Sequence, residues 1–368
     1  MSMLKRPQKY VLTAAQKEMY RSEKLTNFRW VAKIMAKYSP YTLSARDLAD
    51  EKLFSELAEI GQFTELANTN VVPVDFLFKN LITLMKPDFP LESYDALHGS
   101  VLVSEFFGKV AHLHGYVAYR SETKQLIVAV SGTSTTVQAI QDLRALWHRH
   151  KSGKGLVHSG FWKLYKGIRP FIYEGIRKGL KEDVGELIIT GHSMGGAVSY
   201  LLLLDLLVSN DIIPANLPIK LVVFGAPRPG DTKLSKYYQE LIAEYRKKNG
   251  NAAFSEYFVK AYNDGVPALP PLLLGYRHFT QTPLYYDHSR LYHVPSSESE
   301  YTLFHVDPEL VKEGPPIHPR GGHNYYNGRD QERAVRRLGW LEKSLAKGDT
   351  SDWETLYLER VKKHSRPN

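Results

Sequence analysis

Five consecutive residues, Gly191-His192-Ser193-Met194-Gly195, carry the clearest chemical signal in this chain. The apolar run 187–189 before them predicts a buried strand, and residues 197–208 after them, apolar nearly all round, predict a buried helix. A G-x-S-x-G sequence between a strand and a helix is typical of a nucleophile elbow, which presents a serine hydroxyl for covalent catalysis. Side chains two residues before or after that serine would collide with the flanking strand and helix. We therefore predict Ser193 as a nucleophile, with Gly191 and Gly195 as its elbow glycines.

A serine nucleophile needs an acid that orients its base, and Asp264 is the candidate for that acid. With an elbow of this kind the chain order is Ser, Asp, His, and we expect the acid after the second strand beyond the elbow. Residues 257–262 predict that strand, and Asp264 follows it at the edge where catalytic groups collect in open α/β sheets. On local sequence alone Asp264 is a plain turn carboxylate. Asp287 is a weaker rival, and Asp231 is better interpreted as a helix N-cap.

The base is expected to be a histidine beyond Asp264, and spacing alone does not choose among seven: His278, His288, His293, His305, His318, His323 and His364. We prefer His323 because Gly321-Gly322 before it allows a freely shaped loop. The helix predicted at 329–347 follows soon after and would anchor that loop. His364, in the C-terminal tail, is the weakest candidate.

An oxyanion hole should complete the site. The backbone N–H of Met194, the residue after the nucleophile, is one donor by the geometry of an elbow. Thr133 is the second candidate, because it follows the strand predicted at 125–130, and Gly132 beside it lets the backbone approach a substrate closely. The alternative for this segment is a simple strand-ending turn.

The order of predicted elements favours an α/β fold with a mainly parallel central sheet and helices on both faces. Strands and helices alternate through the core, with strands at 114–120, 125–130, 187–189, 220–224 and 257–262 and helices at 161–181, 232–247 and 329–347. Residues 265–322 are predicted to be irregular. An N-terminal helical layer is predicted from apolar patterns at 10–38, 44–60 and 74–85, with Ser44 as a cap and Gly61 as a stop for the second helix.

These elements predict three parts: a helical segment 1–92 packed on the core, a core domain 93–348 and a tail 349–368. The chain has no cysteine, which excludes disulfides and thiolate metal sites, and no metal or organic cofactor is expected. No segment has the pattern of a signal peptide or a transmembrane helix, so a cytoplasmic protein is expected. The net charge of +9 suits an anionic lipid surface or nucleic acid, but no nucleic-acid motif accompanies it, and solvated helix faces explain it more simply.

Taken together, several segments resemble the class 3 (fungal, Rhizomucor-type) lipase family, which has the α/β-hydrolase fold. They run in the family's order over residues 95–345: Ala129-Val-Ser-Gly-Thr133, Asp142-Leu143, Val157-His-Ser-Gly-Phe161, Ile188-Ile-Thr-Gly-His-Ser-Met-Gly-Gly-Ala197, Val223-Phe-Gly-Ala-Pro-Arg228, Asn263-Asp-Gly-Val-Pro267, Leu269-Pro270, Tyr276-Arg-His278 and His323-Asn-Tyr-Tyr326. The resemblance implies Ser193 as nucleophile, Asp264 as orienting acid, His323 as base, and Thr133 with Met194 as oxyanion hole.

The resemblance also implies a helical lid after the oxyanion loop. The stripe Val137, Ile140, Leu143 and Leu146 fits that place, although such a stripe is equally consistent with core packing. Two departures stand out. The family usually has Phe-Arg-Gly-Thr/Ser where this chain has Val130-Ser131-Gly132-Thr133. Secreted fungal members also carry disulfides and a signal peptide, and this sequence shows neither feature. The second departure favours an intracellular enzyme.

The resulting hypothesis is a serine carboxylic ester hydrolase that acts on acyl lipids, a triacylglycerol- or diacylglycerol-type lipase. It would work transiently at a lipid surface, for which the basic cluster His148-Arg149-His150-Lys151 is a candidate contact. A phospholipase or feruloyl-type esterase on the same scaffold is the alternative within the class. A lipase-like signalling or scaffold protein without turnover is the alternative from another class. The sequence does not indicate an oligomeric state.

Overall fold

Strands and helices alternate along most of the chain. The structure is a computed structural model and describes residues 28–68, 71–132, 146–209, 212–310, 321–326, 330–346 and 352–364. The strands are β1 (Tyr38–Leu43), β2 (Ser100–Phe107), β3 (His114–Arg120), β4 (Gln125–Val130), β5 (Trp147–Arg149), β6 (Leu156–His158), β7 (Glu186–His192), β8 (Ile219–Phe224), β9 (Gly230–Asp231), β10 (Phe254–Ala261), β11 (Tyr276–Arg277), β12 (Pro283–Asp287), β13 (Arg290–His293) and β14 (Leu303–Val306). The α-helices are α1 (Arg29–Met35), α2 (Glu51–Ala67), α3 (Val74–Lys79), α4 (Leu81–Leu84), α5 (Ser159–Gly179), α6 (Met194–Ser209), α7 (Thr232–Asn249), α8 (Gln331–Leu345) and α9 (Trp353–His364).

An eight-stranded sheet lies at the centre, in the order β13-β12-β10-β8-β7-β4-β3-β2. The strands from β4 to β12 in this order run parallel, while β2, β3 and β13 add antiparallel edges. A two-stranded sheet pairs β1 with β14, and a four-stranded sheet has the order β11-β9-β6-β5. The mainly parallel sheet predicted from the sequence is confirmed. The carboxyl ends of its parallel strands therefore meet along one edge.

Helices cover both faces of the sheet, and β4 shows why. Its side chains alternate between two cores, as the period of a strand requires. Leu126, Val128 and Val130 pack with α5, α6 and α7. Ile127 and Ala129 point the other way and pack with α2, α3, α8 and α9. Helix α6 lies inside the first core and is buried from Met194 to Leu206, in accord with its apolar sequence.

The N-terminal layer differs in detail from its prediction. The helix predicted at 44–60 begins at Glu51, where the Asp50 carboxylate accepts the Leu53 N–H at 2.7 Å. Ser44 caps only a single 3₁₀ turn. Gly61 does not stop α2, which continues to Ala67, because burial of this stretch against the sheet outweighs the roughly 1 kcal/mol propensity cost of a glycine.

Two neighbouring predictions in this layer also need correction. The helix predicted at 74–85 is split into α3 and α4 at Asn80. Of the helix predicted at 10–38, α1 covers Arg29–Met35, β1 begins at Tyr38, and residues 10–27 lie outside the described residues.

The prediction that residues 265–322 are irregular is wrong, because this stretch contains β11 to β14. These strands are short: β11 and β14 pair with segments distant in sequence, and β12 and β13 form a hairpin at the edge of the central sheet. The sheet also begins earlier than predicted, at β2. No helix in the described ranges is long and apolar enough to cross a bilayer. The boundaries at residues 92 and 348 stay a prediction, although α2 and α9 pack in one common core with the sheet.

Candidate active site

Ser193 lies at the tip of the turn between β7 and α6. Its backbone is left-handed, with φ of 57°, a conformation that costs a residue with a side chain energy and that persists where the surroundings enforce it. A Cβ placed on Gly191 would lie 2.5 Å from the carbonyl carbon of Gly195, so both positions must be small. The Ser193 N–H donates to the Phe224 carbonyl at the end of β8, at 2.9 Å, which fixes the turn to the sheet. This is the elbow that the sequence predicts.

Asp264 lies three residues beyond the end of β10 and is fully buried. One carboxylate oxygen accepts the Val266 N–H at 2.9 Å, and the other accepts the hydroxyl of Tyr326. Both oxygens lie 3.1 Å from Nδ1 of His323. The carboxylate therefore has three hydrogen-bond donors and holds the imidazole by one nitrogen.

His323 lies in the described stretch 321–326 and is 1% exposed. Its carbonyl accepts Nε2–H of His192 at 2.7 Å, and the two imidazole rings lie 4.4 Å apart. The edge of Phe28 meets its ring at 5.0 Å. The residue next to Ser193 thus contacts the histidine that Asp264 holds.

Two buried polar atoms stand out in this arrangement. The Oγ of Ser193 and the Nε2 of His323 are both buried, and neither has a hydrogen-bond partner among the described residues. Catalytic hydrogen bonds are often long without substrate and tighten in the complex. A buried hydroxyl and a buried imidazole nitrogen in this state are groups whose hydrogen bonds could form only with substrate bound.

The charges and protonation states around His323 favour its role as the base that accepts the Ser193 proton. Burial, reinforced by the charge of Asp264, holds the pKa of Tyr326 well above its usual value, so its hydroxyl stays protonated and donates to the carboxylate. Burial and the nearby His323 hold the pKa of His192 well below its usual value. His192 therefore stays neutral and puts no positive charge beside an imidazolium at His323.

The structure covers the predicted oxyanion hole only in part. Gly132 follows β4, and a Cβ built on it would lie 3.4 Å from Cβ of Ser193, so this loop borders the elbow. Met194 is the first residue of α6 and is buried. Thr133 lies outside the described residues, as do the lid candidates Val137, Ile140 and Leu143. Leu146, the last lid candidate, is exposed.

The rival residues lie elsewhere. Asp231 caps α7 by accepting the Leu234 N–H at 2.8 Å, as predicted. Asp287 ends β12 and pairs with His288 at 2.7 Å. His278 is bonded to the Pro267 carbonyl, and His305 stacks on Tyr38. Within the described ranges no group of three or more His, Asp or Glu side chains is arranged to hold a metal ion.

Sequence reasoning gave no role to two residues that contact the site. Tyr326 appears in a matching motif, but nothing in that motif indicates that its hydroxyl reaches Asp264. Phe28 precedes α1, and its contact with His323 joins residues almost three hundred positions apart in the chain. A signal for either would have to come from tertiary structure.

The parallel sheet, the strand–turn–helix elbow and the order of Ser193, Asp264 and His323 along its edge define an α/β-hydrolase fold.

Residues 127–274 match the family model described as Lipase (class 3). The secreted mono- and diacylglycerol lipase 1 of Fusarium solani is 26% identical over 182 residues, which are 49% of this chain and 49% of that protein. The secreted mono- and diacylglycerol lipase A of Penicillium cyclopium is 28% identical over 166 residues, 45% of this chain and 49% of that protein. The structure of lipase II from Rhizopus niveus superposes with a TM-score of 0.58 at 19% identity, covering 78% of this chain and 99% of that one.

The resemblance to the class 3 lipase family that the motifs implied is confirmed over residues 127–274. The chain spans about half the length of the curated relatives that it matches. The prediction of a cytoplasmic protein is wrong, because these relatives are named as secreted lipases. A lack of cysteine does not decide the compartment, since disulfides are permitted rather than required in secreted proteins.

Proposed function

We propose that this chain is a serine carboxylic ester hydrolase for acyl lipids, with Ser193, His323 and Asp264 as its catalytic residues. The observation that carries the proposal is that two buried atoms have no hydrogen-bond partner among the described residues: Oγ of Ser193 in the elbow and Nε2 of His323, whose ring lies against His192. Nδ1 of the same histidine is bonded to a buried carboxylate. A nucleophile, a base and an orienting acid are thus arranged in the order that acyl transfer requires.

The reaction follows from the protonation states that this geometry favours. With Nδ1–H directed at Asp264, the Nε2 of His323 has a free lone pair and takes the Ser193 proton as Oγ attacks the ester carbonyl. The imidazolium then forms next to the Asp264 carboxylate, which stabilises it. His323 returns its proton to the leaving alcohol, leaving an acyl-serine. Water repeats the cycle and releases the fatty acid.

Charge that develops on the carbonyl oxygen needs donors in place. We assign one donor to the N–H of Met194 at the start of α6, where the helix dipole also favours negative charge. The second is Thr133, next to Gly132. No metal or organic cofactor enters any step of this proposal.

Mono- and diacylglycerols are the substrate class we favour, because the relatives from Fusarium solani and Penicillium cyclopium are named for them. Triacylglycerols, phospholipids and feruloyl esters remain the alternatives to be compared directly. Purified protein should hydrolyse p-nitrophenyl esters, and a fluorophosphonate probe should label Ser193. A folded protein that neither turns over esters nor is labelled would be a scaffold without catalysis.

A lipid surface as partner is supported by an exposed apolar turn. Leu272, Leu273 and Leu274 form a 3₁₀ turn with exposed fractions of 39%, 91% and 52%. The turn ends at Gly275, and a Cβ placed there would lie 3.7 Å from the Trp147 ring. The strand of Trp147, β5, also carries exposed His148 and Arg149. Apolar side chains beside cationic ones suit insertion at an anionic lipid surface.

Leu273→Glu tests this contact. The substitution should reduce binding to phosphatidylglycerol-containing vesicles by about tenfold, since it puts a carboxylate where an apolar side chain would insert. Turnover of a dissolved short-chain ester should stay within about twofold of wild type. Ile82→Glu is the matched control, because Ile82 is also largely exposed, at 77%, on α4. Equal vesicle binding by both variants and wild type would remove this surface.

A further inference from the structure

The C-terminal end of α2 is hydrogen-bonded to the edge of the sheet where the candidate catalytic residues meet. The Tyr116 hydroxyl on β3 donates to the Phe63 carbonyl at 2.7 Å. Thr64 and Thr190, three residues before Ser193, join their hydroxyls at 2.6 Å. An imidazole nitrogen of His114 lies 2.9 Å from the Ala67 carbonyl. The helix end is therefore fixed relative to the elbow.

Asn68 is the residue that ends this helix. It follows Ala67 as the C-cap of α2, and its backbone N–H is bonded to carbonyls of the last turn. Its side-chain Oδ1 accepts the Gly132 N–H at 2.5 Å. The residue before Gly132, Ser131, donates its N–H to the His114 carbonyl at 2.9 Å. The two residues that follow β4 are thus held by adjacent bonds, one from β3 and one from Asn68.

Gly132 lies between Asn68 and the candidate nucleophile. A Cβ built on Gly132 would be 3.4 Å from Oδ1 of Asn68 and also 3.4 Å from Cβ of Ser193. On the other side of the elbow, a Cβ on Gly195 would meet the Ser131 carbonyl oxygen at 2.5 Å. Residues 131 and 132 after β4 are therefore packed on the elbow, and a shift of their backbone would change the space beside Ser193.

Asn68 also lines a small cavity. Its Nδ2 is buried and has no hydrogen-bond partner among the described residues. The cavity has a volume of about 10 Å³ and is also lined by Thr64, His192, Asn324 and Tyr326. That volume admits about one water molecule. An amide suits this place because it presents a neutral acceptor to Gly132, whereas a carboxylate would put negative charge beside a developing oxyanion.

We propose that Asn68 is a positioning residue for the oxyanion hole. Its Oδ1 fixes Gly132, the residue that precedes the oxyanion candidate Thr133 in sequence, against the Ser193 elbow. This inference rests on the proposed ester hydrolase function. It means that the N-terminal helical layer, through Asn68 at the end of α2, positions part of the active site. A role of Asn68 as a mere helix cap would affect stability and leave the turnover of folded protein unchanged.

Asn68→Ala in the full chain tests the proposal against Tyr116→Phe. Both variants lose a hydrogen bond between the α2 end and the sheet, but only Asn68→Ala frees Gly132. We expect Asn68→Ala to lower kcat for a soluble p-nitrophenyl ester by about tenfold with KM within about twofold, because misplaced donors weaken transition-state binding. Tyr116→Phe should lower Tm by a similar amount and keep the kcat of wild type. Deuterium exchange should be faster in peptides covering residue 132 of Asn68→Ala alone.

The outcomes separate this inference from the function on which it rests. A wild-type protein without ester turnover or fluorophosphonate labelling would remove the proposed function itself. An active wild type with equal kcat in Asn68→Ala and Tyr116→Phe would overturn the role of Asn68 alone. If Asn68→Ala does not fold, Asn68→Ser is the second variant. It keeps a polar group at the cavity, but its side chain is one covalent bond shorter, so its hydroxyl does not reach the Gly132 N–H. The same loss of kcat is expected for it, and wild-type kcat in folded Asn68→Ser would equally overturn the proposal.

Discussion

The elbow around Ser193 and the loop around His323 reach the same point of the molecule by different means. The elbow is held by its own neighbours: Gly191 and Gly195 touch, and the Ser199 hydroxyl donates to the Gly195 carbonyl at 2.8 Å. The loop 321–326 is held by residues far away in sequence. Asp264 is hydrogen-bonded to the imidazole of His323, His192 donates to the His323 carbonyl, and the Phe28 ring meets the His323 ring edge-on.

The difference is that the position of Ser193 is fixed mainly by neighbouring residues in the sequence, whereas the position of His323 is fixed by tertiary contacts. A strand, a turn with two obligatory glycines and a buried helix can be specified by some twenty consecutive residues, and the bond from the Ser193 N–H to the Phe224 carbonyl then joins the turn to β8. The position of His323 depends on the folded sheet that brings β10 and β7 together. Substitutions of the elbow glycines should therefore destabilise the fold locally, and substitutions around His323 should lower the catalytic rate first.

The largest effects are expected where the two regions meet. Ser193→Ala removes the nucleophile and His323→Ala removes the base, and each should lower kcat by about 10⁴- to 10⁶-fold with Tm near that of wild type. The measurement is steady-state hydrolysis of a p-nitrophenyl ester by purified, folded variants. Hydrolysis within tenfold of wild type by either variant would contradict its assignment.

Gly191→Ala tests the local region. The added Cβ would lie 2.5 Å from Gly195 backbone atoms, which cannot move without distorting the elbow, so a loss of about 3 kcal/mol of unfolding free energy is expected. The control is Gly339→Ala on α8, where a Cβ meets no atom of the described residues within 4 Å. That substitution should instead stabilise the protein by about 0.5–1 kcal/mol. Urea unfolding compares the two, and equal stabilities would mean that the elbow tolerates side chains.

Tyr326→Phe tests the tertiary region with an intermediate effect. It removes the hydroxyl that donates to Asp264, and a buried carboxylate that loses one donor orients His323 less firmly. We expect kcat to fall about tenfold, equivalent to about 1.4 kcal/mol. Tyr357→Phe removes a buried hydroxyl that donates to the Asp88 carbonyl far from the site, and should leave kcat unchanged. Equal kcat for the two variants would reduce Tyr326 to a packing residue.

The smallest effect concerns pH and His278, a buried histidine whose ring contacts Phe258. Burial, with the charges of Arg228 and Lys260, holds the pKa of His278 well below its usual value. Below about pH 6.5 the unfolded chain therefore binds a proton that the native state refuses, so stability falls as the pH falls through this value. His278→Gln keeps a donor for the Pro267 carbonyl and should make the stability loss between pH 7 and pH 5 smaller by about 1–2 kcal/mol. Urea unfolding at both pH values measures it; an unchanged loss would show that His278 is protonated in the native state.

What the sequence predicted follows the same division. The elbow, the strands β4, β8 and β10 and the helices α5 and α7 have strong periodicity or obligatory glycines, and their existence was predicted correctly. The structure brings Asp264 and His323 together, but the choice of His323 among seven histidines depended on glycines in its loop and on resemblance. The roles of these residues stay predictions until variants are measured.

The parts that could not be predicted depend on contacts between distant segments. Gly61 is a helix stop by propensity, yet the packing of α2 on the sheet carries the helix past it. Strand β14 is recognisable only through its pairing with β1, more than 250 residues earlier in the chain. Asn68 and Tyr326 reach the site by side-chain hydrogen bonds to residues 64 and 62 positions away, for which no local pattern exists.

The packing of α1 has a practical consequence for anyone who engineers this protein. A Cβ on Gly265, the residue after Asp264, would lie 2.6 Å from Cβ of Val31, and Phe28 covers the His323 ring. Trimming the chain to its apparent catalytic core, or fusing a tag directly before Arg29, would therefore alter the surroundings of both residues. A shortened version should retain Phe28–Met35, and a fluorophore attached near Lys33 would report on the state of the site from outside it.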